Sequence, residues 1–156
     1  EAGTFDFVYS EHMIEHLTLE QGIRVVKELF RITRPGAIIR MATPDLEKIL
    51  ALFTKEPSAT QQKYVDWTTK TFIGAIEGYN PTLVLNNMFY NWGHRFIYEP
   101  GMLAAIMRNA GFTDLKSQPV GRSDHAPLNN IENHGGAIGA PDMAAYETMA
   151  IEARRP

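Results

Sequence analysis

Apolar and polar positions follow two rhythms along this chain. Phe5-Asp6-Phe7-Val8-Tyr9-Ser10 is a short run rich in aromatic and β-branched residues, which predicts a strand. After residues 11–17 the rhythm changes. Leu19, Ile23, Val26, Leu29 and Phe30 recur at helical spacing and make one apolar face. Thr18 and Gln21 are spaced for a capping box, in which each side chain reaches the other residue's backbone N–H. Arg31 and Arg34 suit the carboxyl end of the helix dipole, and Pro35-Gly36 stops the helix.

Residues 37–43 read as a second strand, mostly apolar with Arg40 as the exception. Thr43-Pro44-Asp45 predicts a cap followed by proline at the first helical position. Helices are expected over 46–53 and 61–76, split by Glu56-Pro57-Ser58, and over 83–92 after a turn at Gly78-Tyr79-Asn80-Pro81. Residues 102–110 form a clear amphipathic helix closed by Gly111, and 112–118 a strand. Residues 119–141, rich in Gly, Asn, Pro and His, read as a long ordered loop. The last strand, 146–154, sets Met149, Ile151 and Ala153 on one face. Strand, helix, strand, helix in short order is the grammar of an α/β fold with a parallel sheet.

Length and composition narrow the picture. With 156 residues, 44% of them apolar and 21% charged, the chain suits one domain with a packed core. No run approaches the roughly 20 apolar residues of a membrane-spanning helix, so no membrane partner is expected. Fifteen basic residues against eighteen acidic ones argue against a nucleic-acid partner. The absence of cysteine excludes disulfides and thiolate chemistry, and makes a reducing, cytoplasmic setting the expectation. A chain that begins at Glu1 and enters a strand by Phe5 reads as the later portion of something longer.

Several segments, in order, resemble a known family. Phe5-Asp6-Phe7-Val8-Tyr9-Ser10 followed by Glu11-His12-Met13-Ile14-Glu15-His16-Leu17 resembles the fourth strand and following turn of class I S-adenosylmethionine-dependent methyltransferases, roughly FDxVxxxxxxEHL. Leu29-Phe30-Arg31-Ile32-Thr33-Arg34-Pro35-Gly36-Ala37 resembles their LxRxLKPGG segment, and Met41-Ala42-Thr43-Pro44-Asp45 the end of the fifth strand. Tyr98-Glu99-Pro100 through Ala110-Gly111-Phe112 resembles the late helix with its AGF exit. Glu147-Thr148-Met149-Ala150-Ile151-Glu152-Ala153 resembles the seventh strand of a small group of predicted methyltransferases.

The resemblance implies one domain over residues 1–156, a partial Rossmann-like sheet made of strands four to seven with the last antiparallel. The family's glycine-rich strand-to-helix turn, G-x-G-x-G, and the acidic residue ending its second strand do not occur here; Gly135-Gly136 and Gly139 lie too late to stand in. Methyl transfer from S-adenosylmethionine to a small-molecule acceptor is therefore implied for the lineage, with cofactor binding impaired in this chain. The 5–10 strand would be left with an unsatisfied edge, which predicts a homo-oligomer built through it.

Ligands in open parallel sheets bind beyond the carboxyl ends of strands. That places Ser10, Glu11 and His12 after one strand and Thr43 and Asp45 after the next, on one rim. By resemblance, Ser10, Glu11 and His12 would border the methionine part of the cofactor, largely through backbone. His12 is also the candidate catalytic base, because imidazole titrates near neutral pH; the alternative is that Glu11 and His12 merely satisfy a loop. Glu15-His16 matches the family's EH pair, with a structural role tying the turn to its neighbours. Asn91-Trp92-Gly93-His94-Arg95-Phe96 lies where relatives often carry a lid, making His94, Arg95 and Tyr98 candidate substrate contacts alongside Thr43 and Asp45. Arg95 suits a carboxylate or phosphate. The competing reading packs Trp92 in the core and pairs Arg95 with an acid. Asp124, His125 and His134 are residue types that bind metal, but they are expected in a solvated loop.

Two rivals stand beside the methyltransferase reading. One is a non-catalytic interaction module of the same lineage. The other takes His12-Met13-Ile14-Glu15-His16 as H-x-x-E-H, the inverted-zincin signature, with both histidines on one helical face holding zinc, Glu15 as base and Glu77 as a third ligand. Against it, a strand ends two residues before His12 and a helix starts at Thr18, so no metal is assigned.

Overall fold

A computed structural model describes residues 1–74 and 78–156. Strand β1 (Phe5–Glu11) is followed by a single 3-10 turn (Ile14–His16) and helix α1 (Leu19–Ile32). The Thr18–Gln21 capping box forms in both directions. Strand β2 (Thr33–Pro44) begins earlier than the sequence predicts and absorbs Pro35-Gly36, because α1 is already closed by Thr33, whose N–H bonds the Leu29 carbonyl. Pro44 ends the strand rather than opening a helix. Asp45 is the cap of short helix α2 (Leu46–Leu50), its carboxylate accepting from the Glu47 N–H.

Helix α3 (Ala59–Thr68) starts at a second capping box, Ser58 with Gln61, and continues into a π-helical turn (Thr69–Ile73). Residue 76, the expected end of this helix, lies outside the described residues, as does Glu77. Helix α4 (Pro81–Tyr90) carries its proline at the first turn, and α5 (Pro100–Ala110) is capped by the Glu99 carboxylate. Gly111 ends α5 at φ +111°, where an added Cβ would press on the Phe30 ring. Strand β3 (Thr113–Gln118) leads into the late segment, which holds two helices that its glycine-rich composition concealed: α6 (His134–Ala137) and α7 (Pro141–Glu147). Strand β4 (Thr148–Arg154) follows directly and begins two residues later than the sequence predicts, because Tyr146 and Glu147 close α7.

The sheet order is β1-β2-β4-β3, with β1 and β2 parallel and β4 antiparallel to both its neighbours. β1 pairs only with β2 among the described residues, and Phe5 and Phe7 on it are half exposed. No helix among the described residues is long and apolar enough to cross a membrane.

Side-chain alternation sorts the sheet into two faces. Ile39, Met41, Met149, Ile151 and Ala153 join Val26 of α1 and Leu103, Ile106 and Met107 of α5 in the main core. A second core gathers Ile49, Leu52, Tyr64, Val65, Val84, Met88 and Met143 among α2, α3, α4 and α7.

Arg40 falls between Ile39 and Met41 and so points to the other face of the sheet, where it is fully buried. Its register partner on β4 is Glu152, and its Nη1 donates to the Glu152 carboxylate at 2.8 Å. Nε donates to Glu132 at 2.6 Å, and the remaining donors reach the carbonyls of Arg122 (2.9 Å) and Pro119 (3.0 Å). One guanidinium thereby fastens the 119–132 segment over the sheet. Removing it leaves two buried carboxylates without their cation, so Arg40→Ala should cost about 3–5 kcal/mol. Urea unfolding of the two proteins side by side measures this, and a difference below about 1 kcal/mol would contradict the account.

Candidate active site

The chain leaves the sheet at His12, whose φ of +43° turns it sharply while its N–H still bonds the Ala42 carbonyl at 3.0 Å. This turn aims the imidazole across the carboxyl ends of the strands. Nε2 lies 2.9 Å from the Thr148 hydroxyl at the start of β4, and Nδ1 lies 3.2 Å from Glu15 Oε1. The Glu15 contact is one of proximity, and among the described residues Oε1 has no hydrogen-bond partner. Glu15 Oε2 accepts from Thr43 at 2.9 Å, and the Glu15 carbonyl accepts from the N–H groups of Arg95 and Phe96. Burial pushes the Glu15 carboxyl up, yet the neighbouring His12 ring and the Thr43 hydroxyl hold it below its ordinary value, as a buried anion.

The late segment completes the arrangement. The Glu11 carboxylate accepts from the backbone N–H groups of Asn133 and His134, both at 3.0 Å, which pins the start of α6 to the end of β1. His134 then stacks on His12, ring centroids 3.7 Å apart and nearly parallel. Its Nε2 lies 4.0 Å from Glu147 Oε1, while Glu147 Oε2 accepts from the Tyr64 hydroxyl. Burial lowers the pKa of His134, helped by the adjacent His12, and burial raises that of Glu147 against the pull of Tyr64.

These groups floor a cavity of about 520 Å³. His16 and His94 stand at its side, edge to face with centroids 4.9 Å apart. Its far wall is aromatic: Phe72 meets Trp67 at 5.1 Å and Trp92 at 4.5 Å, both edge to face. Polar floor and apolar wall are the usual make-up of a small-molecule pocket.

Of the residues singled out by sequence, His12, His16, Trp92, His94 and His134 line this cavity. Thr43 and Asp45 do not; both are buried, Thr43 donating to Glu15 and Asp45 capping α2. Tyr98 is fully buried in the main core against Gly22, away from the cavity. The Glu11 side chain is engaged by the late segment, leaving Ser10 and the Glu11 backbone at the rim. Arg95 is exposed and contributes its N–H to the Glu15 carbonyl. Trp92 is half exposed rather than packed in the core, at φ +63°. Tyr64, His134 and Glu147 were missed as a group, because they come from three distant segments that read separately as helix, loop and strand. The H-x-x-E-H reading fails on geometry: only Ile14–His16 is helical, as one 3-10 turn, so His12 and His16 share no helix face, and Glu77 lies outside the described residues.

The first 41 residues match a family model described as a methyltransferase domain. Among solved structures, a SAM-dependent methyltransferase from Archaeoglobus fulgidus is similar, with TM-score 0.53 and 14% identity over 99% of this chain and 61% of its own. An S-adenosylmethionine-dependent methyltransferase from Mesorhizobium loti gives 0.52 at 14% identity, over 99% of this chain and 63% of its own. One from Thermotoga maritima gives 0.51 at 18%, over 100% and 58%. The chain has the class I methyltransferase fold. It spans about three fifths of the length of these three methyltransferases, and no curated protein matches it in sequence. Within the methyltransferase sheet, the cavity sits beyond the strand ends, where this fold class places its ligands.

The Glu147 carboxyl has a raised pKa in the folded protein, so the folded state holds its proton to higher pH than the unfolded chain does. Stability should therefore fall as pH rises from the ordinary carboxyl value of 4.5 to the raised one, and stay lower above it. Glu147→Gln keeps an acceptor for Tyr64 and removes the titration. Unfolding free energies measured from mildly acidic to mildly alkaline buffer should show the wild type losing stability relative to this variant; parallel profiles would refute the assignment.

Proposed function

We propose that this chain belongs to an S-adenosylmethionine-dependent methyltransferase acting on a small molecule that carries a hydroxyl or amine, and that the cavity receives that acceptor. The observation that carries the reading is His12: it stands at the cavity floor beside the strand-end rim, with Nε2 within hydrogen-bond distance of a hydroxyl already, that of Thr148. An acceptor oxygen or nitrogen that took the place of that hydroxyl as the partner of His12 Nε2 would give its proton to it.

The rim fits one end of the cofactor. Ser10, the Glu11 backbone and His12 offer peptide groups and an imidazole at the end of β1, with the Glu11 carboxylate folded away onto the late segment. These residues suit the amino-acid end. The nucleoside end finds no glycine-rich turn and no acidic residue closing a second strand in this sequence. When bound, the cofactor supplies an electrophilic methyl group. The chain's own residues orient the acceptor against the aromatic wall, exclude water from it and take up its proton. Such transfers depend chiefly on alignment of donor and acceptor.

Titration calorimetry with S-adenosylmethionine tests the cofactor, and release of S-adenosylhomocysteine across a panel of small alcohols, phenols and amines tests the acceptor. His12→Ala should lower the transfer rate at saturating cofactor by about 100-fold to 10,000-fold. Absence of cofactor binding would favour the interaction-module reading, and an unchanged rate would remove His12 as the base.

The free edge of β1, flanked by half-exposed Phe5 and Phe7, supports a further reading: a strand from a second copy pairs there. Light scattering on a concentration series should then give twice the monomer mass, reduced by Phe7→Lys; a monomer throughout would reject the pairing.

A further inference from the structure

The methyl-transfer reading leaves one buried charge unexplained. Glu15 is fully buried, and its Oε1 accepts no hydrogen bond from any described residue, the His12 ring lying beside it at 3.2 Å. A buried carboxylate oxygen without a donor is expensive, and native structures fill such a vacancy with a proton, a water or a cation. The groups that surround it are imidazoles. Glu15, His16 and His94 each offer one ligand atom, a carboxylate oxygen or a ring nitrogen, all within 4.8 Å of one another.

His94 is prepared for such a role. Its Nδ1 lies 2.6 Å from the Met88 carbonyl, which only accepts, so Nδ1 carries the hydrogen and Nε2 holds the free lone pair. A backbone carbonyl that fixes the tautomer in this way is the outer partner metal-binding histidines usually have. His16 makes no hydrogen bond through its ring to a described residue, and its edge-to-face contact with His94 brings the rings together without joining them covalently or by hydrogen bonds.

We infer that Glu15, His16 and His94 form a binding site for a divalent transition-metal ion of the zinc type. Two imidazoles and one carboxylate match the three-ligand set of zinc sites that keep a fourth position open, and both histidines line the cavity, so that position faces the acceptor pocket. The ligand set differs from H-x-x-E-H: His94 replaces His12, and the three groups come from the turn after β1 and the segment after α4. The ion would satisfy Glu15 Oε1, leaving Thr43 on Oε2 as the partner that orients the carboxylate. The site stands on these side chains alone and holds whether or not the chain transfers methyl groups.

A rival cluster allows a sharp control. His12, His134 and Glu147 also bring ligand atoms within 4.8 Å of one another, but there Glu147 accepts from Tyr64 and the two rings are stacked parallel, so that their in-plane lone pairs do not converge. The test is titration calorimetry of zinc chloride into the untagged, chelator-treated chain without cofactor. One equivalent should bind saturably, His16→Ala and His94→Ala should each weaken it at least about tenfold, and His134→Ala should leave it unchanged. Circular dichroism checks that each variant is folded, and the visible spectrum of the cobalt-substituted chain, lost in His94→Ala, reads the ligands directly. Zinc binding that is absent, that survives both His16→Ala and His94→Ala, or that disappears with His134→Ala would overturn the assignment.

Discussion

The fully buried guanidinium of Arg40 is the constraint on which the rest depends. A cation in a sheet interior is tolerable only when every donor finds an acceptor, and here the acceptors come from β4 and from the segment after β3. Satisfying that one charge draws 119–132 across the sheet. The Glu11 carboxylate continues the same work at 133 and 134, so the path of the late segment is fixed by two charged residues on neighbouring strands. His134 reaches His12 because of that path, and α7 then delivers Glu147 beneath the cavity and feeds straight into β4.

Much of the scaffold was legible. The Thr18–Gln21 box, the Gly111 stop and the alternation in β2 and β4 are local signals, and local hydrogen bonding or burial enforces each of them. The errors fall where a local rule met a stronger tertiary one. Pro44 looks like a first helical residue, yet it is held in register with Thr148 as the last residue of β2, and the cap moves to Asp45. Pro35-Gly36 reads as a stop between elements, but the Gly36 N–H bonds the Arg155 carbonyl and the strand runs through. Residues 134–137 form a helix despite their glycines, and 141–147 form another. Gly135 lets α6 lie against Pro141, which an added Cβ would meet at 2.6 Å.

The site was legible only in part, for the same reason. His12 and His94 stand out because an imidazole beside a strand end, or beside tryptophan and arginine, carries chemical meaning in one dimension. Thr43 and Asp45 stood on the correct rim, but one anchors a carboxylate and the other a helix. Tyr64 and Glu147 are 83 residues apart in sequence, and nothing local to either announces the other. One looks like ordinary helix content and the other like the start of a strand until the fold brings them together.

The sheet's order has a consequence for how the molecule is made. β4, the last strand in sequence, lies between β2 and β3, so β2 keeps one open edge until β4 emerges from the ribosome. Every contact of the pocket floor with Thr148 or Glu147 waits for the same event. Until then a mostly apolar strand keeps one edge unpaired, a period in which aggregation competes with folding and chaperones have the most to do.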